Sequence, residues 1–200
     1  MIALLSELRR AAFATLALAV VCCGLYPLLV FGFGRLFFAD KANGSIIVDA
    51  GGVVRGSRLI GQPFTADKYF HPRPSSAGNG NGYDPTSSGG SNLGPTSQKL
   101  RDAIAQNVAD YRAQNGLATN APVPADAVSG SGSGLDPHIS PENAALQAAR
   151  VAKARGLSLD KVQALIQQNT DPADLGILGE PGVNVLRLNL ALDGIVTGDR

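Results

Sequence analysis

The sequence predicts an α+β protein: a single N-terminal transmembrane helix, then one soluble mixed α/β domain with a small sheet. Three observations carry this. Between Arg10 and Arg35 lie twenty-four residues without a charge, AAFATLALAVVCCGLYPLLVFGFG, and the chain has no second stretch of the kind. At 1.5 Å per helical residue such a run is about 36 Å long, enough to cross a hydrocarbon core of roughly 30 Å. Beyond it, β-branched runs and helical periodicities are interspersed, the pattern of an α+β domain. Both cysteines, Cys22 and Cys23, fall inside the apolar run, leaving the remainder without a thiol or a disulfide.

The apolar run is too long for a cleaved signal, whose core spans about 7–15 residues, and it ends in Phe37-Phe38-Ala39-Asp40, a poor cleavage site. It reads as an uncleaved anchor over 11–38, with a tail at 1–10 and a soluble domain over 39–200. Pro27 is tolerated in such a span, and Gly24, Gly32 and Gly34 leave room for a neighbouring helix. Arg9 and Arg10 flank a short tail that is easily retained in the cytoplasm, whereas a long C-terminal domain crosses largely regardless of charge. The expected topology is therefore single-pass, with the N-terminus cytoplasmic, the domain extracytoplasmic and membrane lipid as one partner.

Removing Arg9, Arg10, Arg35 and Glu7 from 17 basic and 16 acidic residues leaves 14 and 15. That balance, without a basic cluster, argues against nucleic acid as a partner.

Taken in order, 45–60 (SIIVDAGGVVRGSRLI) reads as a hairpin turning at Gly51-Gly52. From 62 to 95 the chain is crowded with Gly, Pro, Ser and Asn, including GNGNG at 78–82. Leu100, Ile104, Val108 and Tyr111 recur at helical spacing between a Ser97 start and a Gly116 stop. Residues 118–128 read as a linker. Ser140 suits an N-cap, with Pro141 at the first helical position and Gly156 closing that helix. Ser158 opens another, with Leu159, Val162, Leu165 and Ile166 on its apolar face. The tail VNVLRLNLALDGI alternates like a strand from Val183 and could turn helical after Asn189.

The chemistry is mostly negative. None of the five lysines follows a glycine, so no Walker A motif exists. The tract 129–134, with Ser131, Gly132, Ser133 and Gly134, offers amides ahead of a helix that could cradle an anion, or simply turn the chain. Asp136 and His138 resemble two parts of a triad, yet no GxSxG accompanies them, and Asp136 before Pro137 equally suits a turn. With only His71 and His138 and no soluble cysteine, no metal site and no catalytic residue is expected. The run YFHPRP at 69–74 fits either an interface or a loop tucked on the core.

Four blocks, in order behind the span, resemble the C subunit of the Kdp potassium pump, a P-type ATPase complex of bacterial membranes. They are GQPFTADKYFHPRPS (61–75), SGGSNLGPT (88–96), SGSGLDPHISPENAALQAARVAKARGLS (131–158) and GEPGVNVLRLNLALD (179–193). The resemblance covers essentially the whole chain. It implies an accessory, non-catalytic subunit in the bacterial inner membrane, without a tightly bound cofactor. The implied partners are a channel-like subunit that carries potassium, a P-type subunit that hydrolyses ATP, and a small stabilising subunit. It also implies a catalytic chaperone that raises the P-type subunit's affinity for ATP; from the residues themselves, the candidate contacts with nucleotide or a partner are Ser131, Gly132, Ser133, Gly134, Asp136 and His138. An extracytoplasmic domain lies across the membrane from ATP, which conflicts with direct contact. The phosphorylated motif DKTGT has only a look-alike, Asp40-Lys41-Ala42-Asn43-Gly44. An anchored extracytoplasmic hydrolase and a solute-binding module are the alternatives.

Overall fold

The computed structural model describes residues 2–78 and 82–195; most of the GNGNG tract and the last five residues lie outside this range. The chain divides into a unit ending at Ser45 and a second beginning at Ile46.

The first unit is a helical rod. Helix α1 (Ile2–Ala19) passes through a π-helical turn (Val20–Leu25) into α2 (Tyr26–Phe37). Pro27 explains the interruption: it has no N–H, and its ring would meet the carbonyl of Cys23 one turn back. Widening the preceding turn relieves the clash, and Tyr26 N–H bonds the carbonyl of Val21, five residues behind. The stretch Ala3–Phe37, with a mean hydropathy of 2.3 over its most apolar 18-residue window, is long and apolar enough to cross a membrane. The helix thus takes in residues 2–10 as well as the apolar run. A Cβ added at Gly24, Gly32 or Gly34 would meet nothing within 4 Å, so each of these positions is uncrowded. The rod breaks at Phe38 (φ −133°, ψ 44°) before a single turn, α3 (Ala39–Ala42).

The second unit opens with the expected hairpin, β1 (Ile46–Val48) against β2 (Val54–Ser57). The Asp49 carboxylate fixes its turn by accepting the N–H groups of Val53 and Gly51 and Nε of Arg55. Those bonds, Val53's first, hold the carboxyl below the usual range. Ile47 points inward onto Leu186 and Leu190.

Three helices carry the capping signals read from the sequence. Ser97 and Gly116 (φ +64°) bound α4 (Gln98–Asn115), and Ser140 and Gly156 (φ +64°) bound α6 (Pro141–Arg155). Ser158 starts α7 (Leu159–Gln168), whose Val162 and Ile166 are buried while Leu159 remains 44% exposed. Two segments differ from expectation, the first being the linker. The linker 118–128 ends in a helical turn, α5 (Ala125–Val128), because Ala127 and Val128 pack on Tyr111 of α4 and gain burial by folding.

A three-stranded antiparallel sheet, β3 (His138–Ile139), β5 (Gly182–Asn184) and β4 (Thr170–Asp171), has β5 in the centre. Chain alternation stops where Asn184 caps the last helix, α8 (Val185–Leu192), by accepting Arg187 N–H. The helix therefore begins four residues before Asn189, since Val185, Leu186 and Leu188–Leu190 must be buried on several sides at once. The main core joins α6, α7, α8 and the sheet around Phe70, which is 0% exposed.

Candidate functional site

Phe70 places the irregular 62–95 segment against the helices, and the residues just after it build a polar hub with the 129–140 segment. Arg73 Nη1 donates to Asp136 Oδ2 at 2.9 Å, while Nη2 reaches the carbonyls of Gly130 (3.2 Å) and Ser129 (3.4 Å). Ser75 Oγ donates to Gly134 O at 2.6 Å and accepts the N–H groups of Ala77 and Tyr83. Tyr83 Oη closes the circuit on the carbonyl of Arg73 at 2.8 Å, and burial raises its phenol above the ordinary range. Ser133 O takes donors from Gly89 N (2.9 Å) and Ser88 Oγ (2.9 Å), and Leu135 O takes Gly61 N (2.8 Å).

Close approach is required at Gly134. Its φ is +67°, and a Cβ there would lie 2.7 Å from Gly89 O and 2.9 Å from Ala77. Gly132 differs: a Cβ on it would meet nothing within 4 Å. The N–H groups of Gly134 and Leu135 are taken up by Ser131 O and Ser133 Oγ. The tract also does not run straight into a helix N-terminus, because β3 intervenes before α6.

From the hub a line of alternating charges crosses the sheet. Asp136 Oδ1 accepts His138 N–H at 2.9 Å and lies 3.7 Å from Nδ1 of the same residue. His138 Nε2 faces Asp171 Oδ2 at 3.0 Å, and Arg187 Nη1 holds Asp171 Oδ1 at 3.0 Å. The pairing with Asp136 and then with Asp171 outweighs burial and lifts the imidazole above its usual value. Burial pushes the Asp136 carboxyl up, but His138 and Arg73 together hold it below the ordinary carboxylate range. The geometry thus unites Arg73, Asp136 and His138 with Asp171 and Arg187. Both ring nitrogens of His138 face carboxylates, an arrangement that stores a cation and leaves neither nitrogen directed at a nucleophilic hydroxyl.

The other end of the hub anchors α6. Asp126 accepts Ser140 N (2.8 Å), Ser140 Oγ (2.9 Å) and Asn143 Nδ2 (2.9 Å). Asn143 in turn accepts Tyr111 Oη at 2.8 Å and Gln147 Nε2 at 2.9 Å. Gln147 pairs with both backbone groups of His71. Above these amides is an open groove of about 320 Å³ lined by His71, Arg73, Tyr83, Asn107, Tyr111 and Gln147. Burial and then the nearby Arg150 lower the His71 imidazole. Among the described residues no three His, Cys, Asp or Glu side chains cluster as a metal site would require.

Within YFHPRP the two aromatic rings part company. Phe70 is core, whereas Tyr69 is stacked under the Arg155 guanidinium at 5.0 Å and donates to Asp193 at 2.9 Å. Asp126, Asp171 and Arg187 escaped the sequence reading, since their partners lie 14 to 33 residues away and no local pattern couples them.

The blocks that meet here also place the chain among known proteins. A family profile described as "K+-transporting ATPase, c chain" matches residues 8–194. A potassium-transporting ATPase KdpC subunit of Mycobacterium tuberculosis is 58% identical over 178 residues, 89% of this chain and 93% of that protein. One from Nitratidesulfovibrio vulgaris is 51% identical over 196 residues, 98% of each chain. A third, from Rhodospirillum rubrum, is 52% identical over 190 residues, covering 95% and 96%. With a profile spanning nearly its whole length and such relatives, the chain belongs to the KdpC family, the c chains of K+-transporting ATPases.

Proposed function

We propose that this chain is the accessory, non-catalytic subunit of an ATP-driven potassium uptake pump of the bacterial inner membrane. It joins a channel-like subunit, a P-type ATPase subunit and a small stabilising subunit. Its N-terminus is cytoplasmic, α1 and α2 span the bilayer, and the domain from Ile46 docks on the extracytoplasmic side. It raises the ATP affinity of the P-type subunit through assembly, at a distance, with ATP itself bound elsewhere in the complex.

One observation supports assembly over nucleotide contact most strongly. Carbonyls of Ser129, Gly130, Ser133 and Gly134, and amides of Gly134 and Leu135, are spent on knitting the hub together. Carbonyls and closing amides engaged in this way serve as architecture. The hydrolase alternative is disfavoured by the carboxylates on both sides of His138.

Detergent extraction of the tagged full chain, followed by identification of the proteins that co-purify, tests this reading. It predicts stoichiometric recovery of the large channel-like and P-type subunits. Recovery of the chain alone, from membranes that contain those subunits, would overturn it.

A further inference from the structure

The connection between β4 and β5 stands apart among the described loops of the domain. Leu175 is 88% exposed, Ile177 82% and Leu178 57%, so three large aliphatic side chains stand in water side by side. The backbone beneath them is ordered by its own bonds. Asp174 N donates to Leu178 O at 2.8 Å, Leu178 N to Asp174 O at 2.9 Å, and Gly176 N to Ala173 O at 3.0 Å. Leu175 is held at φ +55°, a conformation that L side chains adopt at a cost and that glycine would take freely. A rigid turn that strains a leucine in order to point it at solvent is a built feature.

The root of the loop is equally fixed. Asp171, the β4 residue that leads into it, is clamped between His138 and Arg187. Gly182, the β5 residue that follows it, packs so closely on His138 that an added Cβ would sit 3.2 Å from the histidine Cβ and 3.3 Å from its ring. Between these ends the loop carries Asp174 and Glu180 and no basic residue. A membrane-surface element pairs apolar side chains with Lys or Arg to meet anionic headgroups. Here the sign is reversed, so the complementary surface is a protein one with basic side chains at its rim.

We propose that residues 172–181 form a docking finger that inserts Leu175 and Ile177 into an apolar pocket with a basic rim on a partner subunit of the same pump. The proposal rests on the pump-subunit reading, and its test is arranged to separate the two.

The full chain carrying a photo-crosslinking amino acid in place of Ile177 is expressed with the other pump subunits and irradiated. A crosslink to one of the large subunits is expected. Leu175→Gly relieves the backbone while removing the anchor, and should lower recovered complex about tenfold, the scale of one lost hot-spot contact. Ile177→Asp should do the same. Asp174→Lys with Glu180→Lys should weaken recovery further as salt is lowered, by repulsion from the basic rim. Crosslinks confined to phospholipid, or to a second copy of the chain, would overturn the finger. So would full recovery of complex with Leu175→Gly and Ile177→Asp. In either case co-purification of the unmutated chain would leave the subunit assignment standing, and its absence would remove that assignment first.

Discussion

Asn189 of α8 brackets the backbone of Phe70: its Oδ1 accepts Phe70 N–H at 2.8 Å and its Nδ2 donates to Phe70 O at 3.0 Å. A side-chain amide thereby replaces a neighbouring strand and lets an irregular segment lie in the core without orphaned polar groups. Asn189→Ala leaves both groups buried and unpaired. It should destabilise the domain by about 2–3 kcal/mol, the range for lost buried hydrogen bonds, and Asn189→Asp should not rescue it. Thermal unfolding of the full chain in detergent, followed by circular dichroism, measures this; an unchanged midpoint would show that the bracket is dispensable.

The two glycines of the SGSG tract should behave oppositely. Gly134→Val combines a positive φ with a clash on Gly89 O and Ala77, and should prevent the hub from closing. Gly132→Val has open space and should be tolerated. At the other end of the hub, Ser140→Ala should cost about 1 kcal/mol as a lost N-cap. Asp126→Ala should cost more, because three donors from Ser140 and Asn143 lose their acceptor together. Relative unfolding midpoints of the four variants check the ranking.

His138 should make stability depend on pH. Its folded value lies above its unfolded one, near 6.5, so its contribution is complete below that pH and fades as pH rises through the folded value. Asp136, whose value is depressed, keeps its contribution throughout this window and loses it only in acid. His71 acts in the other sense: its folded value is lowered, so its contribution is present above about 6.5 and is lost as pH falls from there through the folded value. Comparing the chain with His138→Gln between about pH 6 and 9 isolates the first effect. The gap in midpoint should narrow toward alkaline pH; a constant gap would mean that packing, and not charge, is what His138 contributes.

Orientation rests on Arg9 and Arg10 at the start of the span. Protease added to intact spheroplasts should digest the domain beyond Ile46 and spare the N-terminal tail. Protection until lysis would reverse the topology and restore ATP to the side where Ser131–Gly134 lie.

Helix boundaries were legible because caps are local: Ser97, Ser140, Ser158, Gly116 and Gly156 stand where the sequence signals them. The hairpin was legible for the same reason. Two-residue strands such as β3 and β4 were not, since their existence depends on β5 supplying partners from far along the chain. The span was legible through its length, but not the π-helical turn that Pro27 forces. Of the candidate site, Asp136, His138 and the SGSG tract were visible as a cluster, whereas Arg73, Asp171 and Arg187 had to be brought to it by folding. Asn143, Gln147 and Asn189 were hidden by chemistry: amides in an amphipathic pattern read as surface, and here backbone of the irregular segment satisfies Gln147 and Asn189, while Asp126, Tyr111 and Gln147 satisfy Asn143.

The most direct test of action through assembly is the ATP dependence of hydrolysis by purified complexes carrying Gly134→Val. The yield of complex should fall, while the complexes that do assemble keep an unaltered KM for ATP. Full assembly with a selectively raised KM would contradict this and place the nucleotide at the SGSG tract.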